Sequence, residues 1–214
     1  MPCWYPMCKQ LVGSAYKTLS FSVEYQHSGT AGTAAAWDVL LQMCNFAAGS
    51  ALTTPARVEH GLAAASAQAS GTLRYFDDGA LHLLLGAKGT FTIDATVGAR
   101  PVFNFTFTGL DGDDTATATP ATDYSAYKAP LAVTDTNTGA LTLGCTYATG
   151  ALSGGTEYVS GGLTFDLGNQ VQFIDLLGTS PDASLADTWR LNSPPRMSLP
   201  SWTTFAATRR SHLA

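Results

Sequence analysis

Four histidines, four cysteines and one acidic run are the residues of this 214-residue chain whose types could carry chemistry. Their spacing decides what they can do. His27, His60, His82 and His212 are scattered and lie in no nucleophile-elbow or cysteine-protease signature, so neither a Ser/His/Asp nor a Cys/His arrangement is spelled out. Cys3, Cys8, Cys44 and Cys145 form no CxxC pair and have no histidine at ligand spacing, which indicates neither zinc nor a thioredoxin-like site. Reduced thiols are the default, with Cys44 acting as a small apolar side chain on a helix. Asp111-Gly112-Asp113-Asp114 brings carboxylates together, yet it lacks the oxygen order and terminal Glu of an EF-hand loop and reads as a solvated acidic turn. Gly86-Ala87-Lys88-Gly89 lacks the GxxxxGK[ST] spacing of a phosphate loop and reads as a turn between strands. The expectation is a protein without catalytic, cofactor-binding or metal-binding residues.

The elements that carry these residues are mostly strands. Phe91, Ile93, Ala95 and Val97 alternate with Thr90, Thr92, Asp94 and Thr96, the period of a half-buried strand. After Gly98-Ala99-Arg100-Pro101, Phe103, Phe105 and Phe107 line one face, and Val102, Asn104, Thr106 and Thr108 line the other. The hairpin thus carries an aromatic stripe and a Thr-rich stripe back to back. Leu19, Phe21, Val23 and Tyr25 alternate with Ser20, Ser22 and Glu24 in a third strand, between Lys17 and Gln26. Asp78-Gly79 reads as a hairpin tip before Leu81, Leu83 and Leu85. Further strand patterning surrounds Leu141 to Tyr147 and Leu163, Phe165 and Leu167, and Gly168-Asn169-Gln170 reads as a bulge or tight turn. One helix is expected over about 33–46, capped by Thr33, with Trp37, Leu40, Leu41 and Cys44 on one apolar face. The expected core is Trp37, Leu40, Leu41, Phe91, Ile93, Phe103, Phe105, Phe107 and Phe165.

Composition narrows the class. Charged residues make up 13% of the chain and hydrophobic residues 45%, so Thr, Ser and Ala take surface positions that Lys and Glu usually hold. Such a surface suits a protein whose exterior is occupied by neighbours. A net charge of -5 argues against a basic nucleic-acid footprint. No apolar run reaches about 18 residues and the start has no apolar signal core, so neither membrane spanning nor secretion is indicated. The organisation reads as an irregular segment 1–16, a β domain 17–191 with a long loop or arm at about 111–137, and a tail 192–214 of disordered or frameshifted character. Residues 190–214 hold four arginines and no acidic residue.

Three segments carry a family resemblance. They are SGTAGTAAAWDVLLQMCNFA from Ser28 to Ala47; GAKGTFTIDATVGARPVFNFTFTGL, followed by Tyr124-Ser125-Ala126-Tyr127 and Pro130-Leu131; and LTFDLGNQVQFIDLLG from Leu163 to Gly178. Together and in this order they resemble the tail tube (major tail) proteins of long-tailed bacteriophages and related prophages. The resemblance implies a mostly β fold, a sandwich or barrel of the tail tube type with one packed α-helix. It implies self-assembly into rings, usually six-fold, that stack into a conduit for DNA ejection, with DNA passing through the lumen without specific binding. The other partners it implies are tail proteins such as a terminator, tape measure or tail tip; the location is the virion tail, reached through the host cytoplasm. The resemblance weakens at both ends, where further strands and a helix of that family are not recognisable. Asp111, Asp113, Asp114, Tyr124 and Tyr127, in the arm, are the candidates for contacts between subunits. The competing expectation is a monomeric sandwich that binds carbohydrate or a host receptor, as in a tail-tip or decoration protein. A flat row of exposed aromatics would mark it. A β-rich hydrolase with an unseen site is a further alternative.

Overall fold

The computed structural model describes residues 15–53, 56–125, 127–138, 141–148, 151–173 and 189–192. It is mostly β. Its centre is a six-stranded antiparallel sheet, open and not closed into a barrel. Strand β1 (Tyr16–Glu24) is followed by helix α1 (Asp38–Met43) and by a hairpin of β2 (Ser50–Thr53) and β3 (Ala56–Glu59). The chain then lays down β4 (Gly71–Asp77), β5 (Ala80–Thr96), β6 (Val102–Asp111) and the short β7 (Thr115–Ala116). A single turn of helix α2 (Asp135–Thr138) precedes β8 (Leu141–Leu143), β9 (Thr146–Ala148), β10 (Ala151–Ser153) and β11 (Thr156–Tyr158). Last come β12 (Gly162–Asp166), β13 (Gln170–Phe173) and β14 (Trp189–Asn192). The sheet order is β1-β6-β5-β12, and β4 and β7 also pair with β5.

The two stripes read from the sequence become the two faces of this sheet. The register sets Phe21 opposite Phe105 and Phe105 opposite Phe91, which gathers aromatic rings from three strands on one side. Stacked, tilted and edge-to-face ring pairs at 5.3–5.8 Å join Phe21, Phe103, Phe105, Phe107 and Phe91. Helix α1 covers this face with Trp37, Leu41, Met43 and the fully buried Cys44; Leu40 and Ile93 are partly buried against the same cluster. Burial pushes the Cys44 thiol up to about 12, so it behaves as an apolar group. On the opposite face the same register builds hydroxyl pairs: Thr18 with Thr108 at 3.4 Å and Ser20 with Thr106 at 3.2 Å. Ser22 donates to Asn104 Oδ1 at 2.6 Å.

Strand β5 is one continuous 17-residue strand, so Gly86-Ala87-Lys88-Gly89 is no turn between strands. It is a bulge. Between the pairs Leu85/Leu110 and Lys88/Thr108, β5 spends one residue more than β6, and Gly86 takes a positive φ of 58°. The bulge lets the lower half of β5 fold Leu84 onto the core. There a Cβ added to Gly109 would stand 2.7 Å from Leu84 Cγ, so only glycine fits. Asp78 and Gly79, at φ 40° and 84°, form the expected tip between β4 and β5.

Several expectations change. The helix spans six residues in place of the expected 33–46, with Trp37 and not Thr33 at its N-terminal cap. Two ties shorten it. The Thr33 N–H is already used in a turn with Thr30 O, and Trp37 Nε1 donates to Gln26 O at 2.8 Å, while Asn45 at φ 77° ends the helix. Phe165, expected in the core, is 44% exposed, because β12 lies at the sheet edge; it touches only the margin of the cluster, through Phe91 at 6.2 Å. Residues 49–70 hold the β2/β3 hairpin and a short 3-10 turn. The expected irregular segment and tail lie outside the described residues except at their inner ends, where Tyr16 opens β1 and Asn192 ends β14.

Candidate functional site

The residues with chemical potential are held apart. His27 Nδ1 accepts the Gly29 N–H at 2.9 Å, which closes a tight turn. His82 lies on β5 with Nδ1 3.0 Å from Asp114 Oδ1 and its ring stacked on Tyr75. His60 packs against Trp37 with the rings tilted and their centroids 5.3 Å apart, and places Nδ1 3.0 Å from Asp38 Oδ1. Burial holds the His60 imidazole below its usual pKa, and the Asp38 carboxylate pulls the other way. Asp38 is itself buried; it accepts Gly49 N–H at 3.0 Å and Gln42 Nε2 at 2.8 Å, which pins the β2/β3 hairpin to the helix. Among the described residues no group of three or more His, Cys, Asp or Glu is placed to hold a metal ion. No described helix is long and apolar enough to cross a membrane.

The acidic run and the arm become a set of ties. Lys17 Nζ stands 2.5 Å from Asp111 Oδ1 and 2.9 Å from Asp114 Oδ1, so the hydrogen bonds it donates to both carboxylates hold the Lys17 pKa up. Asp114 is held below the usual carboxylate value, first by Lys17. Asp113 is exposed. Farther along, Thr117 N–H donates to Gly79 O at 2.9 Å. Tyr124 is 75% exposed. Tyr127 Oη then donates to Glu24 Oε2 at 2.8 Å, and Arg100 Nη1 donates to Glu24 Oε1 at 2.8 Å. These two donors hold the Glu24 carboxyl below its usual value, Tyr127 first. Val133 exchanges backbone bonds with Gly98 and Ala99 at the β5/β6 turn. The expected arm is therefore secured to the sheet at several points, and Tyr127 is one of its fasteners.

Three surfaces remain open. The hydroxyl face exposes Thr18, Ser20, Ser22, Asn104 and Thr106, with Asp94 and Thr96 beside them. The sheet path ends at β1 on one side and at β12 on the other: among the described strands β1 pairs with β6 alone and β12 with β5 alone. Lastly, β8 to β11 form a narrow ribbon, β8 paired with β11 and β9 with β10, whose Leu143, Tyr147, Leu152 and Tyr158 are exposed. Tyr147 Oη donates to Glu59 Oε1 at 2.8 Å, and Arg57 Nη2 stands 3.2 Å from the same hydroxyl, so the ribbon is fastened to the β2/β3 hairpin. Of the exposed tyrosines, Tyr16, Tyr75, Tyr147 and Tyr158 lie on four different strands, Tyr124 and Tyr127 share the loop after β7, and Tyr25 stacks on Trp37.

Asp38, His60, Lys17 and Glu24 organise the molecule, yet none stands out in the sequence. The one available signal is Asp38, a carboxylate set directly after Trp37 at the start of an apolar helix. Searches against protein-family models, curated proteins and solved structures find no match to this chain.

Proposed function

We propose that this chain is a structural virion protein, a subunit of a phage tail tube that assembles edge to edge into rings and stacks them into a conduit for DNA. The observation that carries the reading is the open four-strand path with unlike faces. One face is dry and fixed by Phe103, Phe105 and Phe107; the other is lined with small hydroxyl and amide groups; both edges are unoccupied by described strands. Successive strands in the path alternate in direction, so β1 and β12 run antiparallel to each other. The β12 edge of one copy can therefore continue the sheet onto the β1 edge of the next with ordinary antiparallel geometry. Rotation closes such a heterologous contact into a ring, and the barrel that a single chain does not form is completed by its neighbours. Closure also removes the exposed edges, which are otherwise templates for aggregation.

The hydroxyl face is then the lining. Its exposed charges include the carboxylates of Asp94 and, on β12, Asp166, which repel phosphates, and Arg100 at the end of this face is neutralised by Glu24. The reading assigns the chain no enzymatic role and no cofactor. Negative-stain electron microscopy of the purified chain at rising concentration, with light-scattering mass across size exclusion, tests it. Rings or hollow tubes are the expected result. A folded monomer that never assembles overturns it, and a glycan screen then examines the binding-module alternative.

A further inference from the structure

The loop that leaves β6 is tied to both ends of the same edge strand. At the start of β1, Lys17 holds Asp114; at its end, Glu24 accepts Tyr127 Oη, and just beyond, Gln26 Oε1 accepts the Lys128 N–H at 3.3 Å. The two ties approach β1 from opposite faces, because Lys17 shares the parity of Leu19 and Phe21 whereas Glu24 shares that of Ser20 and Ser22. Between the ties the loop residues Ala118 to Ser125 are exposed. Among the described residues the bonds made there are local ones, such as Ser125 N–H to Asp123 Oδ1 at 2.8 Å, and none reaches the backbone of β1. Apart from the two residues of β7 beside β5, the loop thus crosses from one face of the sheet to the other without adding a strand against β1.

We infer that this loop is a guard for the β1 edge: it obstructs the approach of a second copy to β1, and release of its ties at Asp114 and Tyr127 admits that copy. An alternating strand of nine residues with one side unpaired among the described strands is the kind of edge that folded proteins protect. The occupant is a second copy of this chain because the same sheet carries the complementary antiparallel edge, β12. Both ties are exposed, so each is weak and reversible. A guard fastened in this way opens without unfolding the sheet, whose Phe-lined core does not depend on it.

The inference rests on the edge-to-edge part of the proposed function and not on tubes. Its test is the concentration at which light-scattering mass departs from that of a monomer. In the full chain carrying Asp114→Asn and Tyr127→Phe, onset is expected at a concentration about tenfold lower than in the parent, the effect of two weak surface ties removed together. Tyr127→Phe alone, which removes one exposed hydroxyl and leaves the fold intact, shifts onset in the same direction by less. Adding Ser20→Lys, a charge on the edge strand, abolishes the gain. Unchanged or later onset in the released variants, or a gain that persists with Ser20→Lys, overturns the guard. Earlier onset that yields dimers or irregular chains supports the guard and removes the tube reading, so the two fail separately.

Discussion

The two faces of the β1, β6 and β5 sheet share one backbone and one register, and they have opposite relations to water. On one, Phe21, Phe103, Phe105, Phe107 and Phe91 stack under α1 and exclude solvent. On the other, Thr18, Ser20, Ser22, Asn104 and Thr106 pair with one another across strands and stay exposed. A cross-strand aromatic pair gains from desolvation, whereas a hydroxyl pair exchanges one hydrogen bond with water for another at little net gain. Stability is therefore concentrated on one side of the sheet. The other side is free to meet something else, since little of the fold depends on its residues.

That asymmetry can be broken from the side that carries the stability. Phe105→Ala removes the ring that bridges Phe21, Phe91, Phe103 and Phe107, and a loss of about 3–5 kcal/mol is expected in denaturant unfolding. A loss well below that range would mean that the aromatic face is not the core. Gly109→Ala tests the same face by crowding, since the new methyl meets Leu84 at 2.7 Å; about 1–3 kcal/mol should be lost, and trimming Leu84 to Val should restore part of it.

A subtler probe is pH. Because His60 is held below its ordinary value of 6.5, the unfolded chain takes up the proton first. The His60 contribution is complete above that value and declines as pH falls through the folded value. Unfolding free energy should drop on mild acidification, and His60→Gln should flatten that part of the profile. A slope that survives the substitution assigns it elsewhere. The smallest effect belongs to the hydroxyl face, where Ser20→Ala with Thr106→Ala should stay within about 0.5 kcal/mol by thermal melting. A large loss there would erase the contrast between the faces.

The parts of this arrangement that the sequence shows are those with a short period. Alternation alone places Phe103, Phe105 and Phe107 inside and Thr106 outside, and Asp78-Gly79 marks its turn because few other pairs tolerate positive φ at both positions. The parts it hides depend on distance along the chain. The partner of β1 is β6, and Lys17 meets Asp114 across 97 residues, which no local pattern encodes. Phe165 reads as core because alternation gives a face without saying how far the covering helix extends along it. The helix itself shrinks from its sequence reading because propensity does not register that Trp37 is anchored to Gln26. In the candidate site, the loop and its tyrosines were legible as an irregular segment, but their ties to Glu24 and Lys17 were not.

The bulge in β5 also bears on how this chain can change length. Leu84 below it and Phe91 above it both reach the core, although their numbers differ in parity; the one extra residue reconciles them. Loss of that one residue between Leu85 and Lys88 would straighten the strand and keep both halves on their faces, whereas loss of a single codon in the regular stretch above it would turn the residues between the loss and the bulge inside out. At the Gly98 to Pro101 turn, the same one-codon change alters a loop and no face. Insertions and deletions in genes that share this architecture should therefore collect at the hairpin ends and at the bulge, and spare the regular stretches of its longest strand.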